Sequence, residues 1–303
     1  MSRPSADRAD AALDRVHASQ GHPRTGDLAV VAGTARRRAR RRRLAVYGSR
    51  FAVAAAIVGG WQLFTALKIV DPFFFGQPTG IVRKLADWGA NGTGFGTLWS
   101  QVWVTMKEAL LGFGFGVAAG IVAGVLLGQI RFLAEVMQPF IKIVNAVPRI
   151  VLGSIFVVWL GFGVTSKVLL ASVLVFFVVF FNAFQGVREV DRNFVNNARV
   201  LGASRWHIVR HVVLPSALTW IIASLHVAFG FSIIGAIVGE FLGAQQGLGV
   251  VISSSQNNFD PNGVFAAMLL IAVVALSAEW LITLAERRLL AWRPPSPAES
   301  PNV

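Results

Sequence analysis

Ala109-Leu-Leu-Gly-Phe-Gly-Phe-Gly-Val-Ala-Ala-Gly-Ile-Val-Ala-Gly-Val-Leu-Leu-Gly-Gln-Ile130 carries no charged residue. About 20 mostly apolar residues in a helix cross the hydrocarbon core of a bilayer. Lipid offers backbone groups no hydrogen-bond partner, so such a stretch is predicted to be a transmembrane α-helix. Gly112, Gly116, Gly120, Gly124 and Gly128 recur at every fourth position. A helix turns about 100° per residue, so this row drifts by about 40° per step and winds slowly along the surface. Glycine lets a second helix approach closely in lipid. The row fits a tight or sliding contact inside a transporter, and it fits plain structural packing equally. Both readings place this helix centrally rather than in lipid all round.

Outward from this stretch the same pattern repeats. The 303 residues are 54% hydrophobic and 14% charged, with a mean hydropathy of +0.61. A soluble domain carries about 25% charged residues, so the apolar surface calls for lipid. Residues 44–67 form a first span, interrupted only by Arg50. That run is longer than the ~7–15 residues of a signal-peptide core and starts far from the N-terminus. Residues 141–162 form a third span that carries Lys142, Pro148 and Arg149, so it is expected to be kinked or to begin at the interface. Residues 168–187, 212–239 and 261–285 supply three more. The prediction is an all-α membrane protein with six transmembrane helices. No cysteine is present, which excludes disulfides, thiolate metal sites and a cysteine nucleophile.

The net charge of +13 and pI near 11.6 resemble those of nucleic-acid-binding proteins. Their distribution points elsewhere. Seven arginines fall between Arg36 and Arg43, directly before the first span. Arginines in that position read as a topology signal attracted to anionic lipid, with no nucleic-acid partner. Residues 1–44 are expected to be a disordered basic cytoplasmic tail, 45–293 the membrane domain, and 294–303 a C-terminal cytoplasmic tail. With the N-terminus inside, the cytoplasmic segments hold 16 Lys and Arg and the outer ones hold 5. Both termini are therefore predicted to be cytoplasmic.

The most charged stretch between spans runs Val187-Arg-Glu-Val-Asp-Arg-Asn-Phe-Val-Asn-Asn-Ala-Arg-Val-Leu-Gly-Ala-Ser-Arg-Trp-His-Ile-Val-Arg-His-Val-Val-Leu-Pro215. A helix over 192–201 would place Phe194, Ala198 and Leu201 on one face. Gly202 suits a helix stop in a left-handed turn. Ser204 can cap a second short helix through Trp206 and Ile208, with Pro215 opening the next span. Two short helices projecting from the membrane form a shape that can dock into a groove on a soluble partner.

Asn196, Ala198, Gly202, Ala203, Arg205, Trp206 and the pair Leu214-Pro215 follow the spacing of a known loop motif without a gap. This loop resembles the "EAA" loop of binding-protein-dependent ABC importer permeases. Asn145-Ala-Val-Pro-Arg149, Trp159-Leu-Gly-Phe-Gly163, Glu240-Phe-Leu-Gly-Ala244, Gly247-Leu-Gly249 and Glu286-Arg-Arg-Leu-Leu-Ala-Trp292 are similar to the nitrate/sulfonate/taurine branch of that family. The resemblance spans residues 46–294. It implies a type I ABC importer permease architecture in a bacterial inner (plasma) membrane. It also implies an ATPase-coupling loop over 188–215, seated in a cleft of a separate ABC ATPase subunit. A substrate-binding protein and a second permease subunit, as a homodimer, complete the implied assembly. The implied cargo is a small sulfonate, nitrate or taurine-like anion or a vitamin precursor. Asn196 stands where the family usually has Glu, so no salt bridge to the ATPase is expected there.

Chemistry of the chain's own is not expected. It has no GxxxxGK[ST] phosphate loop and no Gly-Lys pair, so it should neither bind nor hydrolyse ATP. No catalytic residues, cofactor or metal are predicted. His207 and His211 have metal-ligand spacing but lie beside Arg210 without further ligands. Asn145, Asn182 and Glu240 are candidate pathway or gate residues, since polar groups in spans often mark function. Asn182 fits interhelical hydrogen bonding equally, and Glu240 fits an interfacial end cap. Glu279 faces its own bundle or pairs with Arg287 or Arg288. An ATP-independent secondary transporter or channel is the alternative, though no inverted repeat supports it.

Overall fold

The computed structural model describes residues 25–289, and the regular structure among them is helical. The chain divides into two units, residues 1–64 and 65–303. In the first, the described residues belong to α1 (Thr25–Ala66), whose apolar part, Arg40–Ala66, is long enough to cross a membrane. The sequence suggested an unstructured tail as far as residue 44, yet helix begins at Thr25 and runs through the arginines. Alanine and arginine are good helix formers, and extending an existing helix needs no new nucleus. Residues 1–24 and 290–303, which hold the rest of the N-terminal tail and the predicted C-terminal tail, lie outside the described residues.

The second unit begins with α2 (Pro72–Phe75) and α3 (Pro78–Asn91), followed by the span α4 (Leu98–Gln129). Next come α5 (Arg131–Ala146), a 3-10 turn (Arg149–Val151) and α6 (Leu152–Leu160), bent by 71° at the break. The break has a local cause. Pro148 has no N–H to donate and disfavours helix in the residue before it. Val147 is accordingly extended, at φ −73° and ψ 128°. The expected kink in the third span is therefore present. The spans α7 (Val164–Arg188), α10 (Leu214–Gly243) and α12 (Pro261–Leu289) follow, with α8 (Arg192–Val200) and α9 (Arg205–Ile208) between α7 and α10. The short α11 (Leu248–Asn257) precedes α12.

The glycine row of α4 is the seam of this unit. A Cβ placed on Gly116 would lie 2.6 Å from Val175 Cβ, on Gly120 2.9 Å from Val179 Cβ, and on Gly124 2.8 Å from Ala183 Cβ. Gly112 faces Ala171 and Gly128 faces Val187 in the same way. Each step of four along α4 is matched by a step of four along α7, so the two helices run parallel in one register. Parallel neighbours require the chain between them to return across the membrane. The broken α5–α6 pair makes that return and, taken as one span, brings the spans among the described residues to six.

α10 packs against α7 in the opposite direction. Gly235 meets Ala171, Gly239 meets Lys167, and at the other end Gly186 meets Ala217 and Trp220. A second seam joins α4 to α10 through buried Ala109, Phe229, Ile233 and Ala236, with the Phe113 and Phe229 rings edge to face at 5.5 Å. α3 is tied to the start of α12 by the Lys84–Asp260 ion pair at 2.8 Å and by the Gln77 N–H donating to Asn262 Oδ1 at 2.8 Å.

The row predicts its own sensitivity. A Cβ on Gly114, off the seam, would meet nothing within 4 Å. Gly120→Leu should force α4 and α7 apart, and overpacking of this kind costs about 1–3 kcal/mol or more. Gly114→Leu should be mild. Size-exclusion profiles in detergent check this: Gly120→Leu should lose most of its monodisperse peak while Gly114→Leu keeps it.

Candidate functional site

The segment between α7 and α10 is built as two short helices set at a turn. Asp191 caps α8, its Oδ1 accepting from the Asn193 N–H at 2.8 Å. α8 closes where the Gly202 N–H donates to Arg199 O at 2.9 Å and the Ala203 N–H to Ala198 O at 3.0 Å. This closure needs the left-handed backbone found at Gly202, φ +83°, which glycine adopts without penalty. Ser204 Oγ accepts from the His207 N–H at 3.3 Å and caps α9. A π-helical turn over Val209–Val213 then leads into α10, with Pro215 in its first turn. The stop, the cap and the proline entry lie where the sequence placed them.

The segment is anchored by one face. Ile208 and Val213 are buried in a cluster with Ala183, Val187, Ala217 and Ile221, and Val195, Ala198 and Ala203 pack against it. Phe194, Leu201 and Trp206 point away, 65%, 86% and 70% exposed, with Val200 beside them. The predicted shared face of Phe194, Ala198 and Leu201 is thus divided, with Ala198 turned inward. Asn196 and Asn197 are exposed. His207 and His211 stack at 4.1 Å, and among the described residues no group of three could hold a metal ion.

The candidate pathway residues separate. Asn145 is exposed at the break between α5 and α6 and accepts from the Arg149 guanidinium, which covers the Phe177 ring at 4.5 Å. Asn182 donates to Val178 O on its own helix at 2.8 Å, so its bond is intrahelical rather than interhelical. Glu240 is 1% exposed and lies at the far end of the bundle from the α8–α9 segment. One of its oxygens accepts from Thr105 Oγ1 at 2.6 Å and the other from the Gly249 N–H at 2.6 Å. Thr105 Oγ1 also accepts from the Leu248 N–H at 2.8 Å, and Gln101 Oε1 from the Gly247 N–H at 2.7 Å. A latch of three side chains therefore pins the start of α11 to α4 and α10. An interfacial end cap would be exposed, and this carboxylate is buried.

Gln101, Thr105, Glu108 and Lys167 belong to this end of the bundle and were not singled out in the sequence. Lys167 is one of the five basic residues counted above in the outer segments, and it is 3% exposed. Its Nζ donates to Phe162 O at 2.6 Å and Gly163 O at 3.0 Å. Glu108 could have been found, since it lies one four-residue step before Gly112 and continues the seam. Glu279 pairs with His226, at 2.7 Å, and Glu286 holds the other imidazole nitrogen at 2.9 Å.

In the second unit, five spans with a projecting helical segment at one end and a latched half-helix at the other fit a membrane-embedded transport subunit. Residues 116–291 match the family of the binding-protein-dependent transport system inner membrane component, and the chain belongs to that family. It is 32% identical over 240 residues to SsuC of Bacillus subtilis (strain 168), described as an aliphatic sulfonates transport permease, covering 79% of this chain and 85% of the relative. It is 28% identical to the taurine transport system permease protein TauC of Escherichia coli (strain K12), covering 78% and 87%. It is 29% identical to the riboflavin transport system permease protein RibX of Chloroflexus aurantiacus, covering 77% and 85%. An inward-facing structure of the MetNI methionine ABC transporter shares the fold, with a TM-score of 0.55 at 21% identity over 64% of this chain and 96% of that one. This chain is a multi-pass inner-membrane permease subunit of an ABC importer. It is not an enzyme, and it works with an ATPase and a substrate-binding protein.

The latch makes a prediction. Thr105→Val keeps the shape but removes the hydroxyl that serves both Glu240 and Leu248. A buried polar group left unpaired costs about 1–3 kcal/mol. The Tm of purified Thr105→Val in detergent should fall clearly, and Thr105→Ser should restore it. An unchanged Tm in the valine variant would show that these bonds carry no stability.

Proposed function

We infer that the α8–α9 segment is the element that couples this permease to its ATPase, through Asn196, Ala198, Gly202, Ala203, Arg205, Trp206, Leu214 and Pro215. The observation that carries this reading is the apolar row of Phe194, Val200, Leu201 and Trp206, left uncovered on a segment whose other face is firmly packed. Such a row exposed outside the spans marks a protein interface. Tryptophan is the residue most enriched among those that dominate binding energy. In this reading the polar Asn196 lies at the rim of the contact.

The excess of Lys and Arg supports placing this end, together with both termini, in the cytoplasm. The Glu240 latch then lies at the outer mouth, where a binding protein delivers substrate, and acts as a gate. Two copies of this chain enclose the pathway as a homodimer. The substrate class is a small organic solute of the kind carried by the relatives, with a sulfonate the first candidate, since an aliphatic-sulfonate permease and a taurine permease are among them.

Two expected outcomes test this reading. Single cysteines at Asn196 and Asn258, both exposed, should differ in intact cells: an impermeant thiol reagent should label only Asn258→Cys. Labelling of Asn196→Cys from outside would reverse the orientation. Trp206→Ala and Gly202→Val should each lower co-purification of the ATPase about tenfold or more and leave membrane insertion unchanged. For Gly202→Val the cause is backbone strain, because a β-branched residue at positive φ is a steric outlier. Wild-type ATPase recovery and wild-type stimulation of hydrolysis by the binding protein in both variants would show that this segment is not the coupling element.

A further inference from the structure

Three of the four residues of α2 are phenylalanines, and Phe73, Phe74 and Phe75 are all exposed. Phe259, just past the end of α11, stacks on Phe73 with ring centroids 6.2 Å apart, and Phe74 meets Phe73 edge to face at 5.1 Å. These rings form one aromatic patch outside the spans. Phe259 stands there at a cost. α11 closes with the Phe259 N–H donating to Gln256 O at 3.0 Å and the Asp260 N–H to Ser255 O at 2.8 Å. That closure needs a left-handed backbone at the residue past the cap, a place usually held by glycine. Phe259 takes it, at φ +52°. A bulky side chain at positive φ is a steric outlier, and such strain persists only where the surroundings hold it. The ring is 73% exposed, so the chain itself covers little of it.

The patch has a fixed height. The Gln77 N–H donates to Asn262 Oδ1, and a Cβ on Gly76 or Gly80 would lie 2.9 or 2.7 Å from that same oxygen. The chain after α2 therefore crosses directly over the first turn of α12. The apolar part of α12, Pro261–Leu284, has 24 residues. That is about 36 Å of helix against a hydrocarbon core of about 30 Å. Its first turn thus lies at the border between hydrocarbon and headgroups. Trp99 and Trp103, one turn apart at the start of α4, are exposed at the same end of the bundle, and tryptophan concentrates at this border.

The backbone of the patch needs no water for its donors. Pro72 and Pro78 have no N–H. The Phe73 N–H donates to Asp71 Oδ1, those of Phe74 and Phe75 to Asp71 O, that of Gly76 to Pro72 O and that of Gln77 to Asn262 Oδ1, all at 2.8–3.1 Å. Lipid admits only backbone whose polar groups are satisfied in this way. The side chains point to the same surroundings. Residues that dominate protein interfaces are Trp, Tyr and Arg, whereas a phenylalanine ring has no polar atom to pair. Bilayer already covers the exposed Met268, Leu269 and Val273 along the span that starts here, so the patch continues an existing lipid-facing surface.

We propose that α2 and Phe259 form an interfacial foot, with the rings of Phe73, Phe74 and Phe259 inserted below the lipid headgroups at the latched end of the bundle. The connection that precedes α3 then rides in the membrane border rather than in water. α11 is held at both ends, by the Glu240 latch at its start and by the bilayer through Phe259 at its finish.

The chain has no cysteine, so single cysteines at Phe74 and Phe259 can each carry a nitroxide spin label. The full chain with its ATPase would be placed in nanodiscs of phosphatidylcholine and phosphatidylglycerol. Power saturation would compare collisions with oxygen, which enters hydrocarbon, and with a nickel chelate, which stays in water. Leu276→Cys, exposed on α12, gives the lipid reference, and Gly94→Cys, exposed in the turn before α4, gives the water reference. The ratio of oxygen to nickel collisions at both patch positions should exceed the Gly94→Cys value about threefold or more. Phe75→Cys, also exposed, replaces either variant that fails to assemble with the ATPase. A ratio equal to the water reference at either position would overturn the proposal. Few collisions with both reagents would assign the patch to a second copy of this chain, and loss of collisions only on adding the binding protein would assign it to that partner. Either result would overturn the proposal as well.

Discussion

The close approach of α4 and α7 is the contact on which the rest of the membrane domain depends. Lipid tails are as apolar as leucine, so no hydrophobic force drives one span onto another. What remains is dispersion between backbones that lie close enough to touch. Glycine at every fourth position of α4 permits that approach from Gly112 to Gly128. The seam fixes register as well as distance, because Ala171, Val175, Val179, Ala183 and Val187 each fill the space opposite one glycine. From parallel registration the broken span becomes a crossing, and the α8–α9 segment and the latch fall at opposite ends.

In this apolar setting the polar groups are accounted for almost one by one. Ser172, Ser224 and Ser232 donate back to carbonyls of their own helices, at 2.6–2.7 Å. His226 bridges two carboxylates and so ties α10 to α12. Gln101, Thr105 and Glu240 serve the N–H groups at the start of α11, which no helix could satisfy. Among the described residues, the buried side-chain atoms left over are Glu108 Oε2 and Arg149 Nε. Those two exceptions lie at the latched end of the bundle and at the break in the third span, whereas the polar groups that bond within their own helices lie along unbroken spans.

The fold was legible because the spans are set by length and composition, and lipid leaves helix as the sole option for such segments. The kink near Pro148, the left-handed turn at Gly202 and the cap at Ser204 were legible for local reasons: each depends on one residue and its immediate neighbours. The facing of α8 and α9 was less so. Phe194, Ala198 and Leu201 share a periodicity, but which side turns inward depends on Ala183, Val187 and Ile221, far away in sequence. The cluster around Glu240 was hidden for a similar reason. Lys167 looks like a loop charge until α10 and α4 close over it, and Thr105 and Gln101 are unremarkable until the N–H groups of residues 247 and 248 arrive beside them. Glu108 alone carried a local signal, as the continuation of the glycine row.

The two ends of the bundle are joined by rigid elements. α7 carries Lys167 near one end and Val187 near the other, and α10 carries Ala217 and Glu240 likewise. At one end both are held in the cluster that contains Ile208 and Val213 of the connecting segment between them. A displacement of α8 and α9 therefore enters α7 and α10 through a packed apolar contact, and interiors of this density transmit strain rather than absorb it. Between α9 and α10 the π turn at residues 209–213 interrupts regular α-helical bonding, and such turns are common at functional sites. At the other end the same helices carry Lys167 and Glu240. Tilting α10 by a fraction of an ångström there lengthens the 2.6 Å bonds from Glu240 to Thr105 and Gly249, and hydrogen bonds weaken steeply once geometry departs from their optimum. Short hydrogen bonds at the far end of stiff helices respond to small motions at the near end. A buried carboxylate at position 240 is suited to that task, and an exposed end cap would not be.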